Sequence, residues 1–562
     1  MTSAVYLLER MRSLRQSLYL KQIRAVLIKE PPPAPVFEDP EAAARVSFIS
    51  RLPNELLLHI LEFVKRDAEF RIPDLHIQGP PAGIASHVWI NLTLVCRKWH
   101  TLILTTQSFW RVIESCSYQA TKVHIERSGN TEIEISYSDS YLEADISNRD
   151  ATLSLLFANI ERARSLWLFG TCSRRFLREV APYRATPALQ FLRLQICEPY
   201  KFSGLQDKSD HLCDAFISDV SKLRGVDLGG INVTPTSRIF SRTLTSLSLE
   251  SFNLPHVGRF TFSTMVSLLQ KMPNLEALTL KNMLRGDNDV LEPLRLPLLR
   301  KFHLCTFSYV QICSFMQHLE LPPSTNITCR CWCNTPEDLV SSLPALPRPR
   351  PFSKFHISCT GSEVGLHGRF DPIQPTGRQL PASSGTFSLH IWAEFFQSVH
   401  VPALILSLLR PLNDSLTCVN KLSVMAVGTP TNFDWAPLFR PFDAVDEISI
   451  RGASTEWHLF AHALAKTVPV PSSEEDLRFM CPRLRALSFA EHVCEWHTAA
   501  KSKVQLHPTF FDALANALEM RRAYGGRVSE VTIGEEIVQV GKIRTMKPKA
   551  GKWSTKWKAA RR

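Results

Sequence analysis

The chain has 562 residues, of which 44% are hydrophobic and 21% are charged, a composition typical of a folded protein with several domains or one long repeat array. Its most apolar segment, 403–409, is far shorter than the roughly 18 residues that a membrane-spanning helix needs. The net charge of +12 lies at the termini, because 542–562 carries nine excess positive charges and 1–30 carries four, so the near-neutral remainder disfavours a large phosphate-binding face.

The beginning of the chain does not resemble a secretory signal, because Glu9 and Arg10 interrupt the apolar stretch 5–8 at once. We therefore expect a soluble protein of the cytoplasm, the nucleus or both. The 14 cysteines are scattered mostly singly, which in a reducing compartment indicates buried thiols rather than disulfides.

Residues 1–30 are predicted to form an N-terminal amphipathic helix, in which Leu7, Met11, Leu14 and Leu18 recur at helical spacing. This helix would pack on the rest of the protein or form a short coiled coil. An Arg-rich, Ser-containing start also fits a mitochondrial transit peptide, although Glu9 argues against one. Residues 31–47 are rich in Pro and Ala and are predicted to be a linker.

Residues 52–64 are predicted to form the first helix of a small domain. Pro53 suits a helix start, where its missing amide hydrogen costs nothing, and Glu55 favours the positive end of the helix dipole. Spacings of three, four and seven place one apolar stripe on this helix, made of Leu57, Ile60, Leu61 and Val64. Leu56 widens the stripe.

A second apolar stripe follows at Leu92, Val95, Cys96 and Trp99, and Phe109-Trp110 closes the unit. The order Leu52-Pro53-x-Glu55-Leu56, then Leu94-Val95-Cys96-Arg97-Lys98-Trp99, then Phe109-Trp110 resembles the F-box, especially the form common in fungal proteins. The resemblance covers residues 48–113. Two departures are the long loop 65–88 and Val88, which stands where an acidic residue is frequent.

The resemblance implies a small three-helix module that performs no chemistry and docks onto a Skp adaptor, which bridges to a cullin-RING ubiquitin ligase. The residues that it implies as Skp contacts are Leu52, Pro53, Leu56, Leu57, Ile60, Leu92 and Val95. The residues that would hold the module together are Leu61, Val64, Cys96, Trp99, Phe109 and Trp110. A module too small to bury all its apolar surface gains stability when a partner covers that surface.

Beyond the F-box, a short phrase recurs in which an apolar residue is followed three and five positions later by two more. The alternation at the end of each phrase predicts a short strand. The phrases begin at Leu189, Leu223, Leu244, Leu275 and Leu299, with weaker copies at Val419, Val445 and Leu484. The pattern resembles an irregular leucine-rich-repeat solenoid over 114–320 and 386–541, with parallel strands lining a concave substrate-reading face.

The predicted fold class is therefore α/β, with a three-helix F-box followed by an irregular leucine-rich-repeat-like solenoid. A generic α/β domain with Leu-rich strands is the alternative to the solenoid. Residues 321–385 are rich in Pro, Gly and Ser and are predicted to be an insertion or divergent repeats.

We find no sequence signal for catalysis, a cofactor or a metal. The clusters Cys329-x-Cys331-x-Cys333 and His492-x-Cys494-x-x-His497 lack the four converging ligands of structural zinc. Nucleophile-elbow, phosphate-loop and dinucleotide-binding motifs do not occur. An active site assembled from residues distant in the sequence remains an alternative, but no sequence pattern indicates one.

The sequence thus predicts an adaptor and not an enzyme, with a Skp adaptor and an unknown protein substrate as partners. One alternative is an F-box scaffold that pairs with Skp alone. Another is a repeat protein that binds nucleic acid through the basic tail 542–562, where Trp553 and Trp557 interleave with lysines. The near-neutral body disfavours this last alternative.

Overall fold

We describe the protein from a computed structural model. The chain divides into two compact units, Met1–Phe252 and Asn253–Arg562. The structure describes residues 52–70, 88–114, 117–138, 146–179, 186–196, 219–231, 233–251, 260–285, 293–306, 309–332, 351–359, 363–370, 385–392, 401–426, 435–452, 457–470, 473–491, 509–523, 525–526, 528–533, 536–538 and 543.

The first unit begins with helices and continues with alternating strands and helices. Its α-helices are α1 (Asn54–Phe70), α2 (Arg97–Thr105), α3 (Tyr118–Ser128), α4 (Ile146–Ala158) and α5 (Thr171–Glu179). Its 3-10 helices are Val88–Leu94, Gln107–Phe109 and Ile160–Arg162. Its strands are β1 (Val112–Glu114), β2 (Ile133–Ser138), β3 (Ala163–Phe169), β4 (Phe191–Gln195), β5 (Gly225–Gly229) and β6 (Ser246–Glu250).

The strands of the first unit pair in chain order, and each pairing is parallel. Leu192 on β4 lies opposite Val226 on β5, which lies opposite Leu247 on β6. These side chains are at most 2% exposed, so they form a continuous buried row across the sheet. Because strand side chains alternate between faces, the residues between them face the opposite side of the sheet.

The second unit contains more strands than the first. Its α-helices are α6 (Phe262–Gln270), α7 (Tyr309–Gln317), α8 (Val401–Leu409), α9 (Asn413–Leu416), α10 (Ala436–Phe439), α11 (Trp457–Ala465) and α12 (Phe510–Ala523), with a 3-10 helix at Arg410–Leu412. Its strands are β7 (Phe260–Thr261), β8 (Ala277–Lys281), β9 (Leu284–Arg285), β10 (Leu294–Arg295), β11 (Lys301–Thr306), β12 (Leu319–Glu320), β13 (Asn326–Trp332), β14 (Phe352–Cys359), β15 (Glu363–Phe370), β16 (Thr386–Trp392), β17 (Lys421–Ala426), β18 (Glu447–Gly452), β19 (Thr467–Val470), β20 (Ser473–Phe479), β21 (Ala486–Glu491), β22 (Glu530–Ile533) and β23 (Glu536–Val538).

The main sheet of the second unit departs from chain order in its middle. Its strands run β8, β11, β13, β16, β15, β14, β17, β18, β21, β22 and β23. Strands β14 to β16 pair antiparallel with one another and occupy the sheet in reverse order, while β16 and β14 pair parallel with the strands on either side. An antiparallel meander therefore interrupts an otherwise parallel series, which ends at the antiparallel pair of β22 and β23.

Local sequence accounts for several helix starts. The side chain of Ser117 accepts a hydrogen bond from the backbone amide of Ala120 in the first turn of α3. Thr261 does the same for Thr264 in α6, at an O···N distance of 3.2 Å. Such caps satisfy amides that have no partner within the helix.

The strands predicted from the recurring phrase are confirmed. They are β4, β5, β6, β8, β11, β17, β18 and β21, and the apolar positions of every phrase are buried. The predicted mixture of helices and strands is confirmed as well. That the strand series is a leucine-rich-repeat solenoid stays a prediction.

The Pro-, Gly- and Ser-rich segment 321–385 contains three strands, β13, β14 and β15, in its described part. The predicted helix 1–30, the linker 31–47, the tail from 544 onward and the His492 cluster lie outside the described residues. In the described part of the chain, no helix combines the length and the apolar character needed to cross a membrane.

Candidate functional site

The described part of residues 52–114 supplies all but one of the buried members of a small hydrophobic core. Its buried members are Leu57, Leu61, Ile90, Ile103, Phe109, Trp110 and Ala120. Leu52, Leu92 and Trp99 pack against it and are partly buried. The core thus joins α1, α2 and the two 3-10 helices, and the first turn of α3 closes it.

Polar contacts hold the two main helices together around this core. The Nζ of Lys98 on α2 donates to the carbonyl of Leu52 at 2.8 Å, just before α1. At the other side, Ser108 Oγ donates to the Glu62 carboxylate at 2.7 Å. The indole Nε1 of Trp110 donates to the carbonyl of Ile103 at 3.0 Å, which satisfies its one polar atom inside the core.

The buried stripe of α1 advances by four residues at each step, from Leu57 to Leu61 to Lys65. Lys65 is only 6% exposed, and its Nζ donates to the carbonyl of Phe109 at 3.1 Å and lies 5.8 Å from the Phe109 ring centroid. A charged group at this position therefore carries a hydrogen bond and a cation–π contact. The methylene groups of the lysine cover apolar surface of the core.

A second apolar stripe on α1 faces outward. It consists of Leu56 (52% exposed), Ile60 (44%), Phe63 (71%) and Val64 (40%), at relative positions zero, four, seven and eight. Leu94 and Val95 add two more exposed apolar side chains at the end of the 3-10 helix Val88–Leu94, which contacts α1. We call these six residues the apolar docking face. Apolar surface of this kind on a folded domain marks a partner-binding site.

Most of the predicted Skp-contact residues lie at the surface. Leu56, Ile60 and Val95 belong to the apolar docking face. Pro53, three residues before Leu56, is also exposed. The carbonyl of Pro53 accepts the amide of Leu57 at 3.0 Å, which begins the hydrogen bonding of α1. Leu52 and Leu92 are partly buried against the core.

Three predicted roles require correction. Leu57 was predicted to contact a partner, but it is completely buried. Val64 was predicted to lie in the core, yet it is 40% exposed because the inward stripe continues to Lys65. Cys96, also predicted in the core, is exposed, since it precedes the first residue of α2 and is not part of a helical stripe. Leu61, Phe109 and Trp110 are buried as predicted, and Trp99 is partly buried.

Sequence reasoning missed Phe63, Leu94 and Lys65. Phe63 lies seven residues after Leu56, so an i, i+4, i+7 search started at Leu56 would have found the outer stripe. Leu94 was noted only as a member of the F-box-like motif and not as an exposed apolar side chain. Lys65 is charged, so a search for apolar residues at helical spacing passes over it, although its spacing of four from Leu61 places it on the inner face.

The helix α3 fastens the end of the domain to the first strands. His124 is buried and meets Trp110 edge-on, with ring centroids 5.1 Å apart, while the Arg127 guanidinium lies 4.7 Å from the Trp110 ring centroid. Burial, followed by the positive charge of Lys65, lowers the pKa of His124 to about 4. The imidazole is therefore neutral at physiological pH, as a packing residue should be.

Among the described residues, no group of three or more His, Cys, Asp and Glu side chains is placed to hold a metal ion. The two described members of the Cys-x-Cys-x-Cys sequence, Cys329 and Cys331, lie buried at alternate positions of β13. Burial raises the pKa of the Cys329 thiol well above its usual range. These thiols behave as small apolar side chains of the sheet.

Comparison with known families supports the assignment of this domain. Residues 49–114 match the family described as F-box-like. The match coincides with the segment that encloses the helical core and carries the apolar docking face. No curated protein matches the chain. The protein therefore contains an F-box-like domain at residues 49–114.

Proposed function

We propose that this protein is the substrate-recognition adaptor of a Skp–cullin–F-box ubiquitin ligase. The F-box-like domain would bind a Skp adaptor, and the strand-rich region after it would bind a protein substrate. In this role the protein performs no chemistry itself and needs no cofactor. The ligase would supply the catalytic components.

The observation that carries the proposal is the apolar docking face on a domain that matches the F-box-like family. Four of its six side chains come from one face of α1, so a partner can cover them with a single complementary groove. Phe63, 71% exposed, is the largest of the six and would be the main anchor. Aromatic anchors near the centre of an interface carry a large part of the binding free energy.

The strand-rich region supports the second half of the proposal by its architecture. Parallel strands of similar length lie side by side in register, each with a buried row of apolar residues. If the series is a leucine-rich-repeat solenoid, its polar faces form an extended surface for recognising a protein. The cytoplasm and nucleus, where such ligases act, would be its compartments.

Reconstitution tests the ligase role. Purified full-length protein, Skp adaptor and the amino-terminal domain of a cullin are mixed and separated by size-exclusion chromatography. We expect all three to co-elute, and we expect a Leu56→Ala, Ile60→Ala double variant to elute alone. Co-elution with Skp that excludes the cullin would instead establish an F-box scaffold outside the ligase.

A further inference from the structure

The polar face of the β14–β16 meander carries a cluster of aromatic and basic side chains. Trp332 on β13 lies in register with Trp392 on β16, and their rings stack with centroids 5.5 Å apart. The Arg330 guanidinium lies 5.6 Å from the Trp392 ring centroid, and His390 stacks on the same ring at 5.3 Å. Trp332 is 39% exposed.

Histidines extend this cluster across the next two strands. The ring centroids of His390 and His367 are 4.6 Å apart, and those of His367 and His356 are 5.6 Å apart. Gly365 leaves room for this cluster, because a Cβ at that position would collide with Ser358 Oγ and lie only 3.3 Å from His367 Nε2. We call the six side chains the histidine–tryptophan patch, comprising Arg330, Trp332, His356, His367, His390 and Trp392.

Positive charge prevails around the patch. Strand alternation places five fixed cations on this face of β13 to β18, namely Arg330, Lys354, Arg369, Lys421 and Arg451. The two carboxylates on the same face both have partners, since Glu363 pairs with His390 at 2.5 Å and Glu447 with Lys421 at 2.5 Å. The surface thus offers excess positive charge together with the exposed ring of Trp332.

We propose that the histidine–tryptophan patch binds an acidic polypeptide segment of the protein that the adaptor recruits, an inference that rests on the proposed function. Carboxylates of the segment would pair with Arg330 and Arg451, while its backbone and apolar atoms would lie on the exposed ring of Trp332. Arg330 on β13 and Arg451 on β18 lie five strand spacings apart, or about 24 Å, so an extended segment of about seven residues reaches from one to the other.

A polypeptide fits this patch better than single-stranded nucleic acid does. Bases bind such surfaces by stacking on free aromatic faces. The Trp392 ring already stacks on Trp332 and His390, and Arg330 lies against it. Side-chain carboxylates need only the cationic groups around the rings.

Binding of an acidic segment should strengthen as the pH falls. Burial, followed by the charge of His390 and of His356, lowers the pKa of His367 to about 4, and burial with Arg451 lowers that of His356. Carboxylates of a bound segment would raise both pKa values, so binding takes up protons. The ionisable groups on the same face around this pair are Arg330 on β13, Lys354 on β14, Glu363 and Arg369 on β15, His390 on β16, Lys421 on β17, and Glu447 and Arg451 on β18.

The test uses the full-length protein and a fluorescein-labelled peptide of about eight alternating Glu and Gly residues, which is long enough to reach from Arg330 to Arg451. A matched peptide carries Gln in place of Glu, and affinity is read by fluorescence anisotropy. The variants are Arg330→Gln and Arg451→Gln, with Arg300→Gln as the control. Arg300 is 77% exposed and lies in the same unit, outside the patch.

We expect the Glu peptide to bind more tightly than the Gln peptide and to lose about fivefold in affinity in Arg330→Gln and in Arg451→Gln but not in Arg300→Gln. We also expect its affinity to rise about threefold between about pH 7.5 and about pH 5.5, and less in His367→Asn. Equal binding of the two peptides, or equal losses in all three arginine variants, would overturn the proposal. The proposal would also be overturned if an oligouridine bound more tightly than the Glu peptide and if Arg330→Gln abolished that binding. Skp binding, measured in parallel, should be unchanged in Arg330→Gln, which separates this proposal from the adaptor role.

Discussion

At the scale of single residues, Lys65 decides which face of α1 is buried. The apolar pattern of the sequence assigns the inner position to Val64, whereas the structure places Lys65 there, with its Nζ bonded to the Phe109 carbonyl. The helix therefore turns a second apolar stripe outward. When a helix has apolar residues on more than one face, the sequence alone does not show which face packs against the core.

Replacing Lys65 by Ala should loosen α1, while replacing the neighbouring Val64 by Ala should not. The first change removes a buried hydrogen bond to a charged donor and its packing, at a cost of about 2 kcal/mol, whereas the second removes an exposed side chain. Hydrogen-exchange mass spectrometry of peptides covering α1 in the full-length protein measures both. Equal exchange in the two variants would contradict the assignment of the inner face.

His124 should make the attachment of α3 sensitive to acid. Its folded pKa of about 4 lies below the ordinary value of 6.5, so the unfolded chain binds a proton more readily. Stability is thus full above about pH 6.5 and falls as the pH drops towards 4, by about 2 kcal/mol at pH 5 for this group.

The measurement is hydrogen exchange of α3 peptides in a urea series at about pH 7 and about pH 5, corrected for intrinsic exchange. The control is His124→Gln, which has no group that titrates in this range. The variant should be less stable than the wild type at neutral pH and should lack this part of the pH dependence. A wild type with no greater acid sensitivity than the variant would refute the role of His124.

At the scale of elements, the sequence predicted strands well where a Leu-rich phrase is present. In each phrase, the two alternating apolar residues lie in the strand, and the apolar residue three positions before them is buried just ahead of it. Leu192 and Leu194 lie in β4, for example, and Leu189 is buried before the strand begins. The meander was missed because β15 and β16 lack that phrase and because β14 carries it without leucine, as Phe352, Phe355 and Ile357. Its inner residues include aromatic ones, such as Phe352, Phe355 and Phe387, and Pro- and Gly-rich stretches separate its strands.

Pairing order was also beyond a sequence reading. The sequences of β14 and β16 do not indicate that β16 pairs with β13 and that β14 pairs with β17. That choice depends on contacts between segments distant in the chain. The histidine–tryptophan patch could not be predicted for the same reason, since Trp332 and Trp392 are sixty positions apart and meet only through this pairing.

The cysteines of β13 provide a test at this scale. In the native protein, Cys329 and Cys331 should resist alkylation by iodoacetamide, because both thiols are buried and burial raises the pKa of Cys329. Cys96 and Cys418 are exposed and should react. Mass spectrometry after a short reaction, compared with a urea-unfolded sample, reads each site. Equally rapid labelling of Cys329 and Cys418 would show that β13 is not an inner strand of the sheet.

At the scale of the whole molecule, the two functions proposed for the chain belong to separate units. The F-box-like domain with its apolar docking face lies within Met1–Phe252, and the histidine–tryptophan patch lies within Asn253–Arg562. The domain was predictable because its signal combines residue types and order. The surface proposed to bind a substrate has no such motif, because its residues come together only when the strands pair.

The most direct test of the central claim is calorimetric titration of a purified Skp adaptor into the full-length protein and into Phe63→Ala. Truncating this exposed anchor should weaken binding by about tenfold to a hundredfold, since interface aromatic side chains contribute about 1 to 3 kcal/mol. Leu298→Ala, which removes a leucine that is 49% exposed in the other unit, should leave binding unchanged. Failure of the folded wild type to bind Skp, or equal affinity of Phe63→Ala and Leu298→Ala, would contradict the account.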